Sequence, residues 1–201
     1  MNYNRLARTR GLQMNYNNTI CTGTGLSFRF DSPNPEDISL EDIAQALSKI
    51  CRFTGHVKEF YSVAEHSCLV LQIVNDLAGG EASREIQIAA LLHDATEAYV
   101  NDVSTPLKRL LQDYRAVEAS VWAAISKKFG ISEELPKIVK AADKLAYFIE
   151  RNQLMPGRAA EIDKITGFDT NPELPELCVV PLLPKPAYKL FMRHCKRLGI
   201  A

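Results

Sequence analysis

The stretch Ser83-Arg-Glu-Ile86-Gln-Ile-Ala89-Ala90-Leu91-Leu92-His93-Asp94-Ala95-Thr96-Glu97-Ala-Tyr99 decides the reading of this chain. Ile86, Ala89, Ala90, Leu91 and Leu92 make it apolar around much of a helical circumference, which predicts a central, buried helix over about 83 to 99. Near its end stand His93 and Asp94, about 100° apart around a helix axis, so both can reach one ion from the same edge. Charged groups flanked by Leu91, Leu92 and Ala95 are costly unless they are paired or metal-bound. Taken alone, one such doublet is better read as a hydrogen-bonded core pair.

The same situation recurs twice. His66 lies in Val63-Ala64-Glu65-His66-Ser67-Cys68-Leu69-Val70, and Asp143 in Val139-Lys140-Ala141-Ala142-Asp143-Lys144-Leu145-Ala146. Three helical segments thus each bury a metal-ligand residue type. Two imidazoles and two carboxylates suit one divalent ion, with Mn, Co, Zn, Ni, Fe and Mg not distinguished by the set, and leave positions free for water or substrate.

The rest of the chain reads as helices around these segments. Ser39 and Ser62, with Asp42 and Glu65 three residues on, resemble capping boxes. Ile43, Ala46, Leu47 and Ile50 follow the first at helical spacing. The second opens a helix through His66 to about Ala78, ended by Gly79-Gly80. Thr105-Pro106 starts a short helix, and others cover about 113 to 129, ending at Gly130, and 134 to 154, broken by Pro156-Gly157. A proline-spotted stretch (172 to 186) leads to a last helix ending near Leu198. Residues 1–35 form an N-terminal arm, in which Leu26–Phe30 alternates as a short strand, half of a hairpin with 19 to 22, or else the arm is a loosely ordered extension. The expected fold is all-α: residues 36–201 as a single helical domain, with a short N-terminal β-hairpin or extended arm.

With 201 residues, the chain is long enough for a full hydrophobic core. Lys plus Arg and Asp plus Glu number 24 each, so no global charge draws the chain to polymeric nucleic acid or an acidic membrane. The five scattered cysteines imply buried thiols in a reducing compartment. No stretch approaches the roughly 20 apolar residues that span a bilayer, and the N-terminus lacks an apolar signal core, so a cytoplasmic protein is expected.

His, then His-Asp, then a distal Asp on successive helices resembles the HD-domain metal-dependent phosphohydrolase superfamily. More closely, His93-Asp94-Ala-Thr-Glu97-Ala-Tyr-Val-Asn-Asp102-Val-Ser-Thr105-Pro106-Leu-Lys108 is similar to the YfbR-like 5′-deoxynucleotidase branch. Cys51-Arg52-Phe53-Thr-Gly55-His56, followed by Tyr61-Ser-Val-Ala-Glu65-His66-Ser67, resembles bacterial and phage members, including dATP triphosphohydrolases of the DatZ type. The resemblance covers about residues 36 to 150.

It implies an HD-domain helical bundle in which His66, His93, Asp94 and Asp143 ligate the metal. It also implies Glu97 near the attacking water, Asp102 against the sugar and Arg52 on the phosphate. Phe53 stands where the branch has Trp, so stacking survives while base preference is in doubt. Lys108 is a second phosphate contact or a solvated helix-face lysine, and His56 points at phosphates or is structural. Trp122 reads as core, and His194 as surface or subunit interface. The implied reaction cleaves the 5′-phosphoester of a deoxynucleotide, releasing phosphate from a dNMP or triphosphate from a dNTP. A dATP-selective triphosphohydrolase and a non-catalytic nucleotide-sensing module are the alternatives. Family members are commonly dimers or hexamers, so a homo-oligomer is expected.

Overall fold

A computed structural model describes residues 18–168 and 174–201; residues 1–17 of the arm and the 172–173 start of the proline-spotted stretch lie outside it. The mostly helical fold carries a single two-stranded sheet among these residues. Strands β1 (Thr19–Cys21) and β2 (Ser27–Arg29) pair antiparallel, with Ile20 opposite Phe28. The hairpin is tied to the helices in two ways. Phe28 is fully buried and stacks on Tyr99 with ring centroids 4.1 Å apart. Asp42, near the start of α1 (Leu40–Leu47), accepts hydrogen bonds from Thr24 N (2.7 Å) and Thr24 Oγ1 (2.6 Å). Ser39 caps α1 by accepting from Asp42 N, but the Asp42 carboxylate serves the hairpin instead of returning to the cap.

The capping box at Ser62 and Glu65 is complete and starts α2 (Val63–Leu77). Glu65 Oε1 also accepts from Leu182 N at 2.7 Å, anchoring the segment that leads to the last helix. Gly79, with φ at 71°, lets the chain turn away after α2. Helix α2 is the hub of the bundle, packing on α3 (Arg84–Leu92), α7 (Lys137–Leu154) and α9 (Pro184–Arg197). Val63, Ala64, Val70, Leu71, Ile73 and Val74 are all buried there. The centre of the fold is thus α2 rather than the helix expected at 83 to 99, although Ile88 to Leu92 of α3 are also buried.

That expected helix is broken in two. After Leu92 the backbone tightens to three-residue hydrogen bonds, Ala95 N to Leu92 O (2.9 Å) and Glu97 N to Asp94 O (3.0 Å), before α4 (Glu97–Val100). Short α5 (Thr105–Lys108) and long α6 (Gln112–Phe129) follow, α6 ending at the left-handed Gly130. Helix α7 begins only after Pro136, three residues later than the spacing suggests. A further helix, α8 (Ala159–Thr166), was not expected; the buried ion pair of Arg151 and Asp163 at 2.6 Å docks it on α7.

One other expectation is corrected: among the five free cysteines only Cys68 and Cys195 are buried, while Cys21 and Cys178 are exposed. Trp122 packs against the hydrophobic core from a partly buried position, its Nε1 donating to Glu133 O at 2.8 Å. No helix among the described residues is long and apolar enough to cross a membrane.

Candidate metal centre

Three helical segments bring the four side chains together, His66, His93 and Asp94 as one tight cluster and Asp143 beside it outside that cluster. His66 comes from the first turn of α2, His93 and Asp94 from the tightened turn after α3, and Asp143 from the second turn of α7. One ligand atom from each of His66, His93 and Asp94 lies within 4.8 Å of the others, a cluster that could hold a metal ion. The two Nε2 atoms are 3.2 Å apart, and Asp94 Oδ2 is 3.5 Å from His66 Nε2 and 3.2 Å from His93 Nε2. Asp143 Oδ1 approaches at 3.1 and 3.7 Å from the same two nitrogens, its side chain still 46% exposed at the rim.

The other face of each ring fits this group to a cation. His66 Nδ1 is 2.7 Å from Glu150 Oε1, and His93 Nδ1 is 2.8 Å from Ala90 O. Both acceptors call for a proton on Nδ1, so in the neutral rings both Nε2 lone pairs point into the cluster. Two lone pairs and two carboxylates facing one another need positive charge between them.

In the metal-free protein protons supply part of it. Burial disfavours the imidazolium forms, but Asp94 and Asp143 outweigh this and hold His93 well above its ordinary value. Against burial and the charge of Arg52, Glu150 and Asp143 raise His66. Burial pushes the Asp94 carboxyl up, but the imidazoles overcome it and bring it to about 2.

Arg52 enters from the bend before α2. Its Nη1 is 3.6 Å from Asp94 Oδ2 and its Nη2 3.1 Å from Glu150 Oε2. Burial opposes its charge, yet Glu150, Asp94, Glu97 and Asp102 together keep it firmly protonated. Its Nε is buried and has no hydrogen-bond partner among the described residues. The next two residues, Phe53 and Thr54, adopt left-handed φ values of 55° and 54°, which a β-branched threonine rarely tolerates. Such strain persists where the surroundings over-determine it. The Phe53 ring is 5.8 Å from Tyr147 on α7 and 5.4 Å from the Arg52 guanidinium.

Glu97 is buried with Oε2 unpartnered among the described residues; burial first, then the charges of Asp94 and Asp102, raise its pKa well above the carboxylate range. Asp102 is raised as well, mainly by burial. It follows Asn101, whose φ of 69° and ψ of 163° fall in a region normally reserved for glycine; Tyr114 Oη bonds the Asn101 carbonyl at 3.0 Å. Lys108 is committed to Glu118 at 2.6 Å, although Glu97 and Asp94 are close enough to raise its pKa. The structure leaves His56 exposed at the end of the Arg52 bend, apart from the cluster of ligand atoms. His194 is partly buried on α9.

Sequence reasoning missed Glu150, which is fully buried. Its position seven residues after Asp143, two turns on along the same inner side of α7, was the available signal.

A bundle in which an imidazole, a His-Asp doublet and a distal aspartate converge defines a class, and comparison with known proteins agrees. The sequence profile of the HD domain matches residues 63–180, and the chain belongs to this family. It is similar to the uncharacterized protein YfdR of Escherichia coli, with 40% identity over 180 residues, covering 90% of this chain and 95% of that protein. An uncharacterized protein of Rhodobacter capsulatus is 35% identical over 161 residues, 77% of this chain and 81% of the other. A 5′-deoxynucleotidase of Citrobacter koseri is 28% identical over 116 residues, 44% of this chain and 58% of that protein.

Proposed function

We propose that this chain is a metal-dependent phosphohydrolase that cleaves the 5′-phosphoester bond of deoxynucleotides. One observation carries the reading: the inward lone pairs of His66 and His93, with Asp94 and Asp143, lie beside Arg52, whose buried Nε has no partner among the described residues. The first group suits a divalent cation and the second a phosphate oxygen. The 5′-deoxynucleotidase relatives add the substrate class.

A cation held by His66, His93, Asp94 and Asp143 would acidify a water and offset charge developing on phosphorus-bound oxygen. The residues of the chain do the rest. Arg52 orients the phosphate through its planar donor fork. As the water oxygen bonds to phosphorus and the bond to the 5′-oxygen breaks, one proton leaves the water and one is needed by the departing deoxynucleoside. Glu97 and Asp102, carboxyls close to the cluster and both raised mainly by burial, are suited to take and return these protons. Phe53 and Tyr147 offer an aromatic wall for sugar or base.

A second reading, release of triphosphate from a dNTP, draws on one further feature. A cleft of about 460 Å³ opens on His93 and Asp94 and carries Arg115 and Lys140 together with Glu118, Glu133 and Glu134. It offers room for a longer phosphate chain, with two cations set among three further carboxylates.

Incubating the protein with each dNMP and dNTP under Mn or Co, and separating phosphate from triphosphate, tests both readings. Deoxynucleoside should appear with one of the two anions. Pyrophosphate release, or no turnover of any deoxynucleotide by metal-loaded protein, would overturn the proposal.

A further inference from the structure

We propose that Glu150 is a positioning residue that couples the cation site to the phosphate-binding arginine, so that one buried carboxylate sets the affinity of both. The inference rests on the metal-centre reading above and goes beyond it in assigning a role to a residue outside the ligand set.

Glu150 is fully buried on α7, and its two oxygens face different halves of the site. Oε1, 2.7 Å from His66 Nδ1, fixes the tautomer that turns Nε2 toward the cluster. Oε2, 3.1 Å from Arg52 Nη2, holds the guanidinium electrostatically without a well-aligned hydrogen bond. Arg52 therefore keeps donors to offer, while its charge is compensated. That compensation matters because Arg52 Nη1 is only 3.6 Å from Asp94 Oδ2, within the ligand set of a divalent cation. Without Glu150 the arginine would lose its nearest counter-charge and lean on Asp94, in competition with the metal. Tyr61 is buried close to the same carboxylate.

The test is calorimetric titration of the full chain with Co(II), for the wild type, Glu150→Gln, and Glu150→Gln combined with Arg52→Gln. Glu150→Gln should weaken Co(II) binding by about 10- to 100-fold, the range typical when a metal-ligating histidine loses its outer partner. Removing the arginine as well should recover part of that loss, a reversal that general damage to folding would not produce. The visible Co(II) spectrum should change in Glu150→Gln as the His66 ring reorients. Equal Co(II) affinity in wild type and Glu150→Gln, or a double variant no tighter than the single one, overturns the role of Glu150. Glu150→Asp, which keeps the charge and shortens the reach, carries the test if Glu150→Gln does not fold: wild-type affinity and spectrum there also overturn it. A wild-type chain that takes up no Co(II) overturns the metal-centre reading itself, a distinguishable failure.

Discussion

His66 and His93 meet through their Nε2 atoms at 3.2 Å, with each Nδ1 turned to a different acceptor, Glu150 and Ala90 O. The surrounding carboxylates, Glu150 and Asp143 for His66 and Asp94 and Asp143 for His93, outweigh burial and raise both imidazoles above their ordinary value. A group whose pKa is raised by folding stabilises the fold below its unfolded pKa, near 6.5, and loses that contribution as pH rises through the folded value. The melting temperature of metal-free protein should therefore fall as pH is raised from about 6.5 upward. With saturating Mn or Co the fall should be abolished, since the cation replaces the protons and binds better at higher pH. Thermal melts from pH 6 to 9 check this, and a flat metal-free curve would contradict it.

Glu97→Gln should keep the metal and lose turnover. The carboxyl is buried, with Oε2 unpartnered among the described residues, and the amide cannot accept a proton, so kcat should drop by about 10²- to 10⁴-fold. Metal analysis of the purified variant provides the check. A collapse in metal content would make Glu97 a ligand instead.

Arg52→Lys retains the charge and removes the fork. The expected change is a KM raised by about tenfold or more, with metal affinity close to wild type. A variant with unchanged KM would remove Arg52 from phosphate binding.

Thr54→Gly should stabilise the chain. The left-handed conformation of this exposed, β-branched residue costs about 1 to 2 kcal/mol, against a glycine entropy penalty of about 0.5 to 1 kcal/mol. A small rise in urea midpoint is expected. A fall would mean that the threonine side chain makes a contact worth more than the strain.

The cluster of His66, His93 and Asp94 that could hold an ion was legible because its members interrupt apolar runs: His66 between Ala64 and Cys68, Asp94 between Leu92 and Ala95. The end of α2 and the hairpin were legible from glycine and from alternation. The break between α3 and α4 was not, because Ala95 and Thr96 are neither proline nor glycine; tertiary packing of the cluster tightens the backbone there. Helix α8 was hidden because Ile162 and Ile165 are exposed, so it presents no clean apolar face. Glu150 escaped notice beside Arg151, since adjacent opposite charges late in a helix resemble a solvated pair. Its true partner, His66, is 84 residues away in the chain. Lys108 was left open between two readings, and only the fold brings Glu118 to it.

The most direct test of the central claim measures metal content and nucleotide turnover together in the wild type and in His66→Ala, His93→Ala and Asp143→Asn. The account predicts about one divalent ion per chain in the wild type, turnover that rises in proportion to occupancy after chelator treatment, and loss of both in the histidine variants. Asp143→Asn should lose metal-dependent turnover. Full turnover in metal-free protein, or wild-type activity in any of the three variants, would contradict it.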